Sequence, residues 1–377
     1  MKVCLLGRIT SDTSLKGGDG RERYTINLRN KLVKYGVEIH FPFPKSIKYC
    51  STTFRSISGL IRFDLLSLPV LLFRKPEFDI CHATFPQQGL SFSLVKNRNL
   101  IVTAHHVDDQ QDFPRGLRFA LFQNYFKTAY NIATKYSRHI IAVSEQTKQE
   151  LISKLNIPEE KITVVHSGVD ERFHPFKKKE SEVRTIGYLG SLTKRKNVDY
   201  LIQVFKILKQ KYPKFKIQLE IYGIGPEYHN LLRSTRQCKD VKFKGFASEQ
   251  KIVEIYNTFD VFVFPSQHEG FGLPILEAQR CGVPVFVRKT AKIPDEIKKY
   301  AVQCKTMTDM AKDIFTLLSD ESSYKKVSKE GFDYSKQFTW DECAKKTIEV
   351  YEKVVKKVKS VRKFLALQKN EVWDKER

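Results

Sequence analysis

Short runs rich in valine, isoleucine and phenylalanine alternate with stretches of helical period, and the alternation happens twice along the chain. Apolar runs of this kind, without strict in-and-out alternation, suit strands buried on both faces, as in a parallel sheet covered by helices. In the first half they fall at Lys2–Gly7, Val37–Phe41, Phe78–His82, Asn99–Thr103, Ile140–Val143 and Lys161–Val165, separated by helical stretches that include Arg21–Tyr35 and Pro114–Tyr136. The second series is Thr185–Leu189, Ile217–Tyr222, Val241–Lys244, Val261–Phe264 and Pro284–Val287, with helices near Val198–Lys211, Gln250–Thr258, Leu273–Cys281 and Met310–Ser319. A polar stretch from His174 to Glu182, containing Lys177, Lys178 and Lys179, reads as a linker. At 377 residues the chain exceeds one ordinary core and suits two domains of roughly 150–180 residues. The expectation is an α/β protein with doubly wound domains at 1–173 and 184–336, a linker at 174–183, and a segment 337–377 that returns to the first domain and ends in a basic tail. Ligands of such sheets bind at the carboxyl ends of the strands, which here face a cleft between domains.

The chemistry concentrates between Val261 and Pro284. A buried-type strand leads into a loop with Glu269, then into glycines that open a helix carrying Glu277. Backbone N–H groups at a helix start lack partners and lie at the positive end of its dipole, so they accept phosphate. Carboxylates suit hydroxyl groups instead, and Glu269 and Glu277 flank that anion site. A ligand with both a diphosphate and sugar hydroxyls fits. The bland alternatives are that Glu277 is an exposed first-turn acid complementing the dipole and that the glycines make a tight turn at positive φ.

Charge narrows the partners without choosing among them. Lys and Arg number 66 against 42 acids, a net charge of +24, so the partner is anionic: nucleic acid, acidic lipid headgroups or a phosphorylated substrate. No acid occurs from Ile39 through Phe63, where Lys45, Lys48, Arg55 and Arg62 stand. None occurs from Phe113 through His139 either, where Arg115, Arg118, Lys127, Lys135 and Arg138 are interleaved with Phe119, Phe122, Tyr125, Phe126 and Tyr130. Such a stretch suits an anionic membrane surface, and equally a helix packed on its sheet with a solvated basic face. The most apolar candidate for a membrane span, Ile57 to Phe73, is interrupted by Arg62, Asp64 and Pro69. The apolar run after Met1 is too short for a signal peptide and reads as a first strand. Cys4, Cys50, Cys81, Cys238, Cys281, Cys304 and Cys343 have no Cys-x-x-Cys spacing, against both a zinc site and a disulfide framework.

With Glu269-Gly-Phe-Gly-Leu-Pro-Ile-Leu-Glu277 and Ile186-Gly-Tyr-Leu-Gly190-Ser-Leu-Thr-Lys-Arg195-Lys196-Asn197 in view, the chain resembles a retaining glycosyltransferase of the GT-B fold. It is most similar to glycosyltransferase family 4, and the likeness runs from the glycine-rich loop near Gly17 to Phe338-Thr-Trp340. The resemblance implies two Rossmann-like doubly wound domains facing each other across a cleft, the first for the acceptor and the second for the donor. It implies that Glu277 holds the nucleotide ribose, that Glu269 contacts the donor sugar, and that Gly270, Phe271, Gly272 and Leu273 offer the leaving diphosphate their N–H groups. Arg195 and Lys196, after Gly190, match the family's basic pair, which stabilises charge developing on the departing diphosphate. Many members carry an arginine directly after the glycine, and Ser191 stands there in this chain.

In the first domain, Gly17 and Gly18 occupy the place of the family's glycine-rich loop, although Gly20 through Glu22, Arg23 and Tyr24 fits as a second register. His105 aligns with a histidine near the reacting sugar, where a neutral imidazole orients a hydroxyl or helps the acceptor lose its proton. Asp108 is a further acceptor contact. His82 reads as either a cleft position or a core histidine, and His106 carries no role. Ser144 and Gly168 match positions lining the cleft, and capping and turn roles account for both. No metal or cofactor is implied. The donor is a nucleoside diphosphate sugar, GDP-mannose first from the Arg195-Lys196-Asn197 form and UDP-glucose next. The acceptor is a glycan or a lipid-phosphate-linked sugar, and the location is cytoplasmic, with the cytoplasmic membrane face as a peripheral option. A sugar-nucleotide epimerase of the same fold and a basic nucleic-acid-binding protein are the alternatives. The latter lacks any helix-turn-helix, RNA-binding or zinc signature. A dinucleotide oxidoreductase would need Gly-x-Gly-x-x-Gly after the first strand, and Gly7-Arg-Ile-Thr lacks it.

Overall fold

The computed structural model describes residues 1–7, 20–40, 65–68, 71, 78–95, 99–107, 117–177 and 181–373. Two six-stranded sheets lie in succession along the chain. The first holds β1 (Lys2–Leu6), β2 (Glu38–His40), β3 (Ile80–Ala83), β4 (Leu100–Ala104), β5 (His139–Ala142) and β6 (Ile162–Val164), in the order β2-β1-β3-β4-β5-β6. The second holds β7 (Arg184–Leu189), β8 (Ile217–Tyr222), β9 (Val241–Gly245), β10 (Val261–Phe264), β11 (Val285–Arg288) and β12 (Val302–Cys304), in the order β12-β11-β10-β7-β8-β9. Every pairing between these strands is parallel. In the second sheet the chain winds outward in both directions from β7 and β10, so their carboxyl ends form a topological switch point, where such folds bind ligands.

Continuous burial explains the central strands. All four residues of β10 are buried, as are those of β3, β4 and β5. A run without a solvent face needs a helix layer on each side. On β7, a Cβ at Gly187 would stand 2.1 Å from the Phe259 ring, so glycine there admits a large aromatic across the strand. The edge strand β12 was not expected. Its three residues alternate partly exposed, exposed and buried, leaving no apolar run to read.

One apolar cluster spans both domains, joining Val3, Tyr24 and Leu28 to Phe262, Phe271, Trp340 and Tyr351. The chain passes between domains at two places that touch. Val169 bridges Thr339 in parallel, and a Cβ at Gly168 would lie 2.2 Å from the Trp340 nitrogen. Gly168 is therefore required by backbone-to-backbone contact rather than by a ligand. After this crossing the helix Trp340–Trp373 packs on the helix Gly20–Lys34 of the first domain. Lys31 pairs with Asp341, and the Tyr35 hydroxyl donates to the same carboxylate at 2.8 Å. Among the described residues no helix is long and apolar enough to cross a membrane. The cysteines among them are free, and all but Cys238 are buried.

Candidate functional site

At the switch point, the turn after β7 meets the loop after β10. Arg195 Nη1 and Lys196 Nζ converge on a single oxygen, Oε1 of Glu269, at 3.0 and 2.7 Å. Arg195 Nη1 also donates to the His268 carbonyl at 2.8 Å, and the Gln267 N–H donates to the Arg195 carbonyl at 2.9 Å. The Lys196 ammonium lies 4.9 Å from the centroid of the Phe264 ring. Burial pushes the Glu269 carboxyl up, but the Lys196 and Arg195 charges outweigh it and bring the pKa to about 2. Glu269 is thus an anion at neutral pH, and it fixes both cations beside the start of the helix Leu273–Arg280.

The glycines divide the work. Gly272 sits at φ +98 and caps that helix, whose first turn has no side-chain cap and contains Pro274. Only here does the tight-turn reading hold. Gly270 is not at positive φ; instead a Cβ on it would stand 1.6 Å from the His105 carbonyl oxygen. Its own carbonyl accepts the Ser144 hydroxyl at 2.7 Å. Gly270 is therefore where the two domains touch. The Phe271 side chain is buried between His166 and Phe338, at ring separations of 5.9 and 6.2 Å, so only its backbone is left to offer a ligand. A Cβ on Gly190 would meet the Tyr188 hydroxyl at 2.9 Å, and one on Gly223 would meet the Gly190 carbonyl oxygen at 1.8 Å.

Glu277 is not an exposed first-turn acid. It lies in the second turn, buried, with Oε2 accepting the Tyr256 hydroxyl at 3.0 Å. Its other oxygen lies 2.8 Å from Arg23 Nη1, which reaches across from the first domain. Arg23 also lies 3.6 Å from Glu249, and Glu249 in turn pairs with Arg172 beside the crossing. In the sequence Arg23 entered only through the second register of the glycine-rich loop, yet a signal of a role of its own existed. It is a cation in the first turn of the helix Gly20–Lys34, where the dipole disfavours positive charge.

On the facing lip, His105 Nε2 donates to the Thr84 carbonyl at 3.1 Å. Its ring stacks on Phe85 at 4.7 Å and takes the edge of Tyr24 at 4.6 Å. These contacts orient the imidazole, and the His105 carbonyl faces Gly270 and hence the Glu269 loop. His82 belongs to the core. Its ring nitrogens bond the Tyr351 hydroxyl at 2.6 Å and the Thr103 hydroxyl at 2.7 Å, and burial lowers its pKa to about 3. Ser144 caps the helix Glu145–Leu155 by accepting from the Thr147 N–H at 3.1 Å, in addition to its bond to Gly270. Next to it, Gln146 donates to the Glu269 carbonyl at 3.2 Å, and the Glu145 N–H donates to Glu296 at 3.0 Å. Gly17, Gly18 and Asp108 lie outside the described residues. Among the described residues no group of three His, Cys, Asp or Glu side chains converges in a way that could hold a metal ion.

Residues 169–333 match the family model for glycosyl transferases group 1, and residues 18–173 match that for glycosyltransferase family 4. The chain is similar to the serotype-specific mannosyltransferase WbdA of Escherichia coli, 26% identical over 59% of this chain but only 29% of that protein's length. It is also similar to the capsular polysaccharide biosynthesis glycosyltransferase CapM of Staphylococcus aureus, 26% identical over 90% of both chains. Among solved structures, the sucrose-phosphate synthase of Thermosynechococcus elongatus superposes with a TM-score of 0.73, covering 94% of this chain and 98% of the other at 16% identity.

Proposed function

Because this chain belongs to glycosyltransferase family 4 and has the GT-B fold, we propose that it moves a sugar from a nucleoside diphosphate donor to a glycan acceptor. The observation that carries the reading is the convergence of Arg195 and Lys196 on Glu269 at the switch point, beside a glycine-capped helix start. In this reading the bond between the sugar's anomeric carbon and the diphosphate oxygen breaks while an acceptor hydroxyl oxygen bonds to that carbon. The hydroxyl proton passes to the departing phosphate. Charge grows on the diphosphate as it leaves, and the two fixed cations stabilise that state more than the intact donor. Glu269 keeps acceptor positions for the donor sugar's hydroxyls, and Glu277 does the same for the ribose. His105, oriented by Thr84 and Phe85, is in this reading the group beside the reacting sugar.

The anomeric configuration is retained by attack on the face from which the diphosphate leaves, and no metal ion takes part. GDP-mannose is the preferred donor, supported by the Arg195-Lys196-Asn197 form and by the mannosyltransferases among the relatives, with UDP-glucose next. The acceptor is a glycan or a lipid-phosphate-linked sugar, and the basic, aromatic stretch before His139 supports a peripheral place on an anionic membrane face.

The test is a panel of nucleotide sugars, following nucleotide release with and without EDTA and reading the product anomer by NMR. Release from one donor, unaffected by EDTA and giving the donor's anomer, is expected. Binding of none of the donors would overturn the assignment, and abolition of turnover by EDTA would overturn metal independence.

A further inference from the structure

The ion pair between Arg23 and Glu277 joins the two domains at the carboxylate assigned to the ribose. Both sides of that carboxylate are already engaged, Oε1 by Arg23 at 2.8 Å and Oε2 by the Tyr256 hydroxyl at 3.0 Å. An ionised carboxylate has about four lone-pair sites, and Arg23 and Tyr256 engage one on each oxygen. The arginine is itself held. Glu249 lies 3.6 Å from the same Nη1, and Arg172 binds Glu249 through both its carboxylate and its carbonyl, the latter at 3.0 Å. Two arginines and two glutamates thus form a chain from the first domain, through the interdomain crossing, to the helix Leu273–Arg280.

A buried carboxylate close to a diphosphate is unfavourable unless a cation offsets it, because like charges repel strongly in a low dielectric. Arg195 and Lys196 meet at Glu269 and, in the proposed function, face the diphosphate. The cation paired with Glu277 is Arg23, supplied by the other domain.

We propose that Arg23 is a positioning residue of the donor site: from the first domain it orients and neutralises the Glu277 carboxylate so that the carboxylate can accept the nucleotide's ribose hydroxyls. The proposal rests on the assignment of Glu277 to the ribose. It makes donor affinity depend on a residue of the acceptor domain, so nucleotide binding and domain closure support each other.

Isothermal titration with GDP and UDP, each compared with its 2′,3′-dideoxy analogue, tests it on the full chain. Glu277→Gln first tests the underlying assignment. It should weaken the ribonucleotide far more than the dideoxy analogue, and equal affinities would remove the ribose reading itself. Given that result, Arg23→Ala should weaken the ribonucleotide by about tenfold, the loss expected of a charge-assisted contact. The same change should leave the dideoxy analogue's affinity nearly unaltered, and Arg23→Lys should recover part of the loss. Tighter ribonucleotide binding by Arg23→Ala would mean that the arginine competes with the ribose, and an equal loss for both ligands would mean a merely structural role. Either result overturns the proposal.

Discussion

Replacing Gly270 by alanine would put a carbon 1.6 Å from the His105 carbonyl oxygen. Carbon and oxygen tolerate roughly 3 Å, so the two lips would have to part by about 1.4 Å at that point. The obstacle is backbone on both sides, and no rotamer relieves it. Gly270 is not at positive φ, so alanine brings no conformational strain of its own, and it keeps the N–H available to a phosphate. The bond from Ser144 to the Gly270 carbonyl, now 2.7 Å, would stretch to about 4 Å and be lost, worth about 1 kcal/mol. Domain stability should therefore change little while closure fails. Misplacement of reacting groups by about 1 Å can reduce rate about a hundredfold, so kcat/KM for Gly270→Ala should fall by about that factor. Steady-state kinetics on the preferred donor, with thermal unfolding and nucleotide titration on the same preparation, separate closure from folding and from binding. A kcat/KM within about threefold of the parent, with small-angle scattering unchanged, would refute the reasoning.

Lys196→Ala and Glu269→Ala should each lower turnover by about a hundredfold or more, and each should also lower the unfolding midpoint because it breaks a buried ion pair; full activity in both would reject the assignment of that cluster. Ser144→Ala should destabilise the fold by about 1–2 kcal/mol in urea unfolding through loss of the helix cap, and an unchanged midpoint would count against the cap. Acid should weaken the fold in two steps. His82 falls from 6.5 to about 3 on folding, and Glu269 falls from 4.5 to about 2. In both cases the unfolded chain binds the proton first, so stability is full above the unfolded value and drains away as pH falls. His82→Gln should roughly halve the histidine-linked slope between pH 6.5 and 4.5, because His139, which burial and nearby lysines lower to about 4, contributes a nearly equal part. An unaltered slope would contradict that origin.

The sheet architecture was legible because buried parallel strands have to be written as apolar runs, as in Val261–Phe264. Helices with a mostly solvated surface were harder to see. Glu145–Leu155 buries only Thr147 and Leu151, and Glu321–Ser335 buries only Gly331 and Ser335, so neither shows an apolar stripe. The loop with Glu269 and the basic turn with Arg195 and Lys196 were readable because each is a local constellation, and the fold brings the two together. Long-range roles were not readable. Nothing local tells that Gly270 is fitted to His105, or that Arg23 reaches Glu277 across more than half the chain. His82 lies in β3 and His105 just past the neighbouring β4, and what separates their roles is a buried tyrosine contributed by the final helix.

The contact of Gly168 with the Trp340 backbone has a mechanical meaning. Where two passages of the chain touch, they act as one pivot, and the halves can swing about it but not slide past each other. Travel then grows with distance from the pivot, so the outer rim of the gap opens widest while residues near the axle hardly move. Residues beside the crossing, such as Phe338, whose carbonyl accepts the Val169 N–H at 2.9 Å, therefore keep their alignment through every stroke.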